Sequence, residues 1–334
     1  MIVSFAIVAY NEEKTLPKLL QDLSAQDYPH EKIEVLLIDS MSTDNTWDIM
    51  QKFSNDSHDF MNVRVFKNEK KNIPSGHNVA VRNFVGDALC RVDAHATMPA
   101  EFISKNVEVL KSGEYACGGR RPNIINDAAP WKKTLLIAEQ SMFGSSFASY
   151  RRSDKKMYTT SLFCPMIRRE VFEKVGEYNE LLPRSEDNDM GQRIREAGFK
   201  LCYDPSIVYY QHTRNSLGKM LRQKYLNGYW IGKTMGINPK CFSLFHFVPF
   251  CFVLGILLVS ILAAFGIWQL SALLWSVYGL FIVANSVLEI ATHKFSFANL
   301  LLPILFFLLH FCYGIGTVVG LIEMPFWIKK RNHK

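Results

Sequence analysis

Three long apolar stretches in the last third of the chain restrict its fold more than any other feature. Residues 244–268 and 299–322 each hold one histidine (His246, His310) and no Asp, Glu, Lys or Arg, and residues 270–288 hold none of these five. A helix rises about 1.5 Å per residue and needs roughly 20 apolar residues to cross a bilayer. Each stretch is long enough. The charge follows the same division. Residues 205–334 carry eleven Lys/Arg against two acids (Glu289, Glu323), net +9, whereas residues 1–204 carry net −2. A mildly acidic front joined to a basic, apolar back does not suit a nucleic-acid binder. It suits a soluble part fixed to an anionic membrane surface.

Just before the first stretch, Arg214, Lys219, Arg222, Lys224, Lys233 and Lys240 alternate with Leu217, Met220, Leu221, Tyr225, Tyr229, Trp230 and Ile231. Residues 213–243 therefore read as a basic amphipathic segment in the membrane interface. The third stretch carries a stripe of Gly314, Gly316 and Gly320, suited to close helix packing within the chain or in a homodimer. His310 beside it reads as a hydrogen-bonded histidine. Three spans place the chain ends on opposite sides, yet the interfacial segment and the tail Lys329-Lys330-Arg331 both read as cytoplasmic. A re-entrant or interfacial stretch would reconcile the two. Three spans with almost no charge offer no solute path, which counts against a transporter.

The first 120 residues alternate strand and helix signals. Ile2–Ala9, Ile33–Ile38, Val63–Phe66 and Ala88–Val92 are apolar runs; Glu13–Ala25, Thr46–Phe53 and Ser75–Phe84 have helical spacing. Ser42 and Asp44 are capping candidates for the second helix. Near-continuous apolar strands separated by helices predict an α/β domain with a mostly parallel sheet covered on both faces. Arg168–Val175 and Asp187–Ala197 also read as helices, the latter closed by Gly198. Residues 122–160 read as a polar, irregular binding loop in which Arg151, Arg152, Lys155 and Lys156 are placed to grip an acceptor diphosphate. The domain boundaries expected are 1–212, 213–243 and 244–334.

Several site classes fail. Seven scattered cysteines without a C-x-x-C argue against a disulfide framework or zinc cage. No G-x-G-x-x-G follows the first strand, and Gly228-Tyr229-Trp230-Ile231-Gly232-Lys233-Thr234 has one residue too few for a phosphate loop. What remains is polar residues at strand and helix ends: Val8-Ala9-Tyr10-Asn11-Glu12-Glu13, Leu37-Ile38-Asp39, Arg91-Val92-Asp93-Ala94-His95 and Ser185-Glu186-Asp187-Asn188-Asp189. In open α/β sheets ligands bind at that edge.

Taken in this order, the four segments resemble the family 2 glycosyltransferases, with their GT-A nucleotide-sugar domain. Asp93-Ala94-His95, Ile73-Pro74-Ser75-Gly76-His77-Asn78 and the apolar tail are most similar to the exopolysaccharide (succinoglycan-type) members. The resemblance implies a transferase moving a sugar from a nucleotide-sugar donor, UDP-linked, to a polyprenyl-diphosphate-linked saccharide, with the catalytic domain in the cytosol. Transfer to bare polyprenyl phosphate is one alternative; a non-catalytic membrane scaffold that kept the fold is another.

It also assigns residues. Ala9, Tyr10, Asn11 and Glu12 would flank the nucleotide, Asp39 would take hydrogen bonds from uracil or ribose, and Asn78 and Asp93 would complete the donor site. Asp93 stands where the family keeps the first acid of its D-x-D signature. His95 replaces the second, a donor that Mn²⁺ tolerates better than Mg²⁺. His212 is a further ligand candidate for the divalent cation. Asp187 matches the general base and Glu186 its neighbour, which like-charge proximity would push toward protonation. One base and no second nucleophile imply inversion. Gln223 and Trp230 match only part of the Q-x-x-R-W of processive synthases, so single-sugar addition is expected.

Overall fold

The structure is a computed structural model that describes residues 1–56, 59–125, 129–144, 153–212 and 216–332, with the side chains of 331 and 332 left aside. Arg151, Arg152 and Arg214, and the side chain of Arg331, lie outside the described residues. The chain divides into two compact units, Met1–Pro122 with Ser149–His212, and Asn123–Ala148 with Thr213–Lys334.

The first unit opens with β1 (Val3–Ala9), α1 (Leu16–Ser24), β2 (Ile33–Asp39), α2 (Thr46–Asn55), β3 (Asn62–Lys67), α3 (Ile73–Asn83), β4 (Ala88–Asp93), β5 (Ala96–Thr97), α4 (Phe102–Lys111) and β6 (Ala116–Arg120). β7 (Asn123–Ile124) and α5 (Pro130–Gln140) belong to the second unit. The first resumes with β8 (Met157–Thr159), β9 (Met166–Arg168), α6 (Arg169–Val175), α7 (Glu186–Glu196), β10 (Leu201–Val208) and β11 (Tyr210–His212). Eight strands form one sheet in the order β3-β2-β1-β4-β9-β6-β10-β8. Strands β3, β2, β1 and β4 run parallel; β9 enters antiparallel between β4 and β6.

Alternation along the strands builds two cores. Val3, Phe5, Ile7 and Ala9 pack with Leu16, Leu19 and Leu23 of α1 and Phe102 and Ile103 of α4. Ala6, Leu36 and Ile38 pack on the other face with Ala80 of α3, Val171 of α6 and Met190 of α7. A sheet covered on both faces needs apolar residues at successive positions, and this is why the strands read as unbroken apolar runs. The register brings three strand ends level: Ala9 pairs with Asp39, and Val8 with Asp93.

Helix starts differ from the periodicity. α1 begins at Leu16 instead of Glu13, because residues 12 and 13 are bonded across to residues 44–46. α3 begins at Ile73, earlier than Ser75, where the Asn72 side chain accepts the Ser75 N–H at 2.8 Å and caps the first turn. The expected irregular loop over 122–160 contains α5, whose Thr134, Leu135, Ile137 and Ala138 are buried. Its polar flanks hide a short apolar face.

The second unit continues with α8 (Leu217–Thr234), α9 (Val248–Ala264), α10 (Gln269–Thr292) and α11 (Leu302–Asn332). Among the described residues three segments are long and apolar enough to cross a membrane: Leu244–Ala264, Gln269–Thr292 and Phe297–Lys330. The last exceeds expectation. Its 31-residue helix is about 46 Å long, against a hydrocarbon core of about 30 Å. α8 packs along α11 in the same direction: a Cβ at Gly316 would sit 2.1 Å from the Tyr225 carbonyl oxygen, and one at Gly320 2.1 Å from that of Tyr229. On α8, a Cβ at Gly228 would sit 2.0 Å from the Tyr313 carbonyl oxygen. The phosphate-loop lookalike is thus a packing face. Gly314 lies against Pro249 of α9, so packing within the chain accounts for the whole stripe. His310 is hydrogen-bonded through both ring nitrogens, to the Tyr278 hydroxyl and the Phe143 carbonyl.

Candidate active site

The site is built at the carboxyl edge of β2, β1 and β4. Leaving β1, Asn11 adopts a left-handed φ of 55°, a conformation that Asn tolerates better than most residues. Its backbone N–H donates to Ser42 Oγ at 3.0 Å and its Oδ1 accepts from Thr43 N at 2.8 Å. Glu12 N donates to Thr46 Oγ1 at 2.8 Å, and Glu13 N to Asp44 Oδ2 at 3.2 Å. These bonds lock the loops after β1 and β2 together. Asp39 is buried, and its carboxylate closes its own turn by accepting from Ser42 N. Tyr10 projects from this rim, 53 % exposed.

The second half of the site comes from the start of α7. Asp187 lies in its first turn, where the helix dipole favours negative charge. Its Oδ1 makes an ion pair with Nη2 of Arg91, two residues before Asp93 on β4. The bond joins residues 96 positions apart and sets the start of α7 beside β4. Burial pushes the Asp187 carboxyl above its usual range, against the pull of Arg91. Burial, then the Asp187 charge, pushes Glu186 up to about 8. Glu186 Oε2 is buried with no hydrogen-bond partner. Of the two carboxyls only Asp187 has the Arg91 guanidinium paired to it, so a proton shared by the pair is favoured on Glu186.

Two other assignments meet obstacles. Asn78 accepts from Tyr178 N at 2.8 Å and donates to the Tyr178 carbonyl at 2.9 Å and to Glu180. Its amide clamps the 178–180 segment instead of reaching toward a nucleotide. The cation ligands expected, Asp93, His95 and His212, are not gathered: among the described residues no three His, Cys, Asp or Glu side chains form a metal-holding group. The reason lies in His95. Gln211 Nε2 donates to its Nε2 at 3.2 Å, which leaves the proton on Nδ1, 3.3 Å from Glu12 Oε1. The ring's lone pair is thus taken by Gln211. Burial, then neighbouring His95, lowers the proton affinity of His212. The three-residue set does not fit a metal in this arrangement, and no chemical step is derived through one.

Residues not singled out from the sequence complete the site. Arg91 is 6 % exposed and touches both Asp187 and His77. Arg121 stacks on Phe163, 3.7 Å from the ring centroid, and lowers the proton affinity of Asp187. The signal for Arg91 was present: a guanidinium inside an inner strand of a parallel sheet must have a buried partner.

Comparison with known proteins decides the family. The family model described as glycosyl transferase family 2 matches residues 4–176. The chain belongs to that family. This glycosyltransferase is 27 % identical over 327 residues to the dolichyl N-acetyl-alpha-D-glucosaminyl phosphate 3-beta-D-2,3-diacetamido-2,3-dideoxy-beta-D-glucuronosyltransferase of Methanococcus voltae, covering 96 % of the chain and 97 % of that protein. It is 24 % identical over 213 residues to the succinoglycan biosynthesis protein ExoA of Rhizobium meliloti, covering 62 % and 63 %. Among solved structures, the mannosyltransferase PcManGT of Pyrobaculum calidifontis, in complex with GDP-Man and Mn²⁺, superposes with a TM-score of 0.56 at 16 % identity, covering 97 % and 87 %. The fold is GT-A.

Proposed function

We propose that this glycosyltransferase transfers one sugar, with inversion, from a nucleoside-diphosphate sugar to a polyprenyl-linked saccharide at the cytosolic face of a membrane. One observation carries the reading. The level strand ends Ala9, Asp39 and Asp93 lie at the sheet edge to which the Arg91–Asp187 pair fastens the start of α7. A donor held over the strand ends would place its anomeric carbon near Asp187.

The loop of Ala9, Tyr10, Asn11 and Glu12, with Asp39, takes the nucleoside. Asp93 stands at the diphosphate end. Asp187 accepts the proton of the acceptor hydroxyl as its oxygen attacks the anomeric carbon, and the nucleoside diphosphate leaves from the opposite face. A positioned base contributes about 10²–10⁴-fold. Glu186, protonated and buried, is the poorer base. Three supports favour a lipid-linked acceptor: the apolar spans, the basic charge before and after them, and the relative named for a dolichyl-linked acceptor. The basic segment and the spans keep the boundaries 213–243 and 244–334, while residues 123–148 of the expected 1–212 part belong to the second unit. Transfer to bare polyprenyl phosphate is the neighbouring reading and differs only in acceptor length.

Asp187→Asn lowers transfer about 10³-fold and leaves nucleoside-diphosphate binding within about threefold. Loss of both together would reduce Asp187 to a structural role. Asp93→Ala changes nucleoside-diphosphate binding; an unchanged affinity removes Asp93 from the donor site. Mass spectrometry of membrane lipids after incubation with a panel of nucleotide sugars identifies the product.

A further inference from the structure

Arg91 sits within Ala88-Leu89-Cys90-Arg91-Val92, every residue of which is buried. Its guanidinium is divided between two partners on two different helices. Nη2 holds Asp187 of α7, and Nη1 lies 3.0 Å from Nε2 of His77 on α3. The guanidinium carbon is 5.4 Å from the centroid of the Tyr178 ring, and the His77 ring is 5.1 Å from the same centroid.

Arginine can only donate, so His77 Nε2 must accept, and His77 stays neutral. Burial and the adjacent guanidinium both hold it well below its usual proton affinity. Tyr178 is in turn fixed by the two-way amide clamp of Asn78 on its backbone. His77 and Asn78 are neighbours on α3, so one turn of that helix supports both the guanidinium and the ring beneath it. Glu186 makes no ion pair with Arg91, and its buried Oε2 has no hydrogen-bond partner.

We propose that Arg91 is the positioning residue of the transfer reaction: braced by neutral His77 and by Tyr178, it anchors one oxygen of Asp187 and leaves the other to the acceptor hydroxyl. The proposal rests on Asp187 being the base. It gives the buried Pro74–Asn78 segment a function, since its His77 and Asn78 act through Arg91 and Tyr178 without touching substrate.

Full-length protein in detergent or vesicles is assayed for transfer and, separately, for nucleoside-diphosphate binding. Arg91→Met lowers kcat about 100-fold with the donor KM within about threefold, and Arg91→Lys restores about tenfold of that. His77→Leu lowers kcat about tenfold at unchanged donor KM; His77→Gln, whose amide oxygen can accept from Arg91, restores it. The double variant Arg91→Met/His77→Leu is no slower than Arg91→Met alone, because His77 acts only through Arg91.

Multiplying effects in the double variant would overturn the proposal, as would parallel losses of kcat and donor binding or a wild-type rate for Arg91→Met. Should Arg91→Met fail to fold, the His77 pair decides. Asp187→Asn, run alongside, separates the two failures. If it retains transfer, the base reading falls and takes this one with it. If it is inactive while Arg91→Met transfers normally, only the role of Arg91 falls.

Discussion

In the α/β unit ionisable side chains lie inside: Glu34, Asp39, Arg91, Glu186 and Asp189 are all less than one-tenth exposed. In the helical unit the deeply buried charge among the described residues is Lys233 alone, paired with Glu323 at 3.3 Å and ringed by Tyr229, Trp230 and Trp327. That unit instead turns its apolar side chains outward, among them Leu257, Leu258, Leu273, Leu280 and Val287. The contrast follows from the solvent each unit is made for. In water a buried ion must be matched by a partner, and a half-matched carboxyl such as Glu186 marks a place where stability is given up for chemistry. In lipid the exposed surface must be apolar, and specificity comes from how closely backbones approach.

Substitutions that exchange the two strategies should cost most where the packing is tightest. Gly316→Leu or Gly320→Leu forces a side chain into the backbone of α8. The expected loss is about 3 kcal/mol or more, because overpacking by a single group already costs about 1–3 kcal/mol. Detergent-solubilised protein would show it as a lower unfolding temperature, and a wild-type temperature would mean that α8 does not rest on α11.

Glu186→Gln tests the opposite unit. The folded-state affinity of Glu186 for its proton, near pH 8, lies above the unfolded value near 4.5. Its contribution is therefore fully present below about pH 4.5 and declines as pH rises toward about 8. Glu186→Gln should flatten that decline, read as the unfolding temperature at pH 5 and pH 8. An unchanged slope would place the pH sensitivity elsewhere. The smallest effect expected is at a helix cap. Asn72→Ala removes the acceptor of Ser75 N and should cost about 1 kcal/mol, with transfer retained in folded protein.

Much of this was legible in order along the chain. The unbroken apolar runs gave the strands, and Asp39 and Asp93 at their ends marked the edge, because strand boundaries and sheet polarity are local properties. Gly198, with φ of 90°, closes α7 as its position suggested. What escaped depends on partners distant in sequence. The start of α1 is set by residues 44–46, and the brace of Asp187 lies 96 residues upstream. The lone pair of His95 is engaged by Gln211, a residue with no motif of its own. The resemblance supplied residue identities, but which lone pairs remain for a ligand depends on the assembled hydrogen bonds.

The union of α8 with α11 also bears on how such chains can diverge. At Gly228, Gly316 and Gly320 even a methyl group would collide with a facing carbonyl oxygen, so those three places accept a single amino acid. Their outward neighbours can drift freely among greasy residues. Sequence drift in this part of the molecule should therefore be large in amount and narrow in kind, wearing away most of the helix surface while leaving the seam intact.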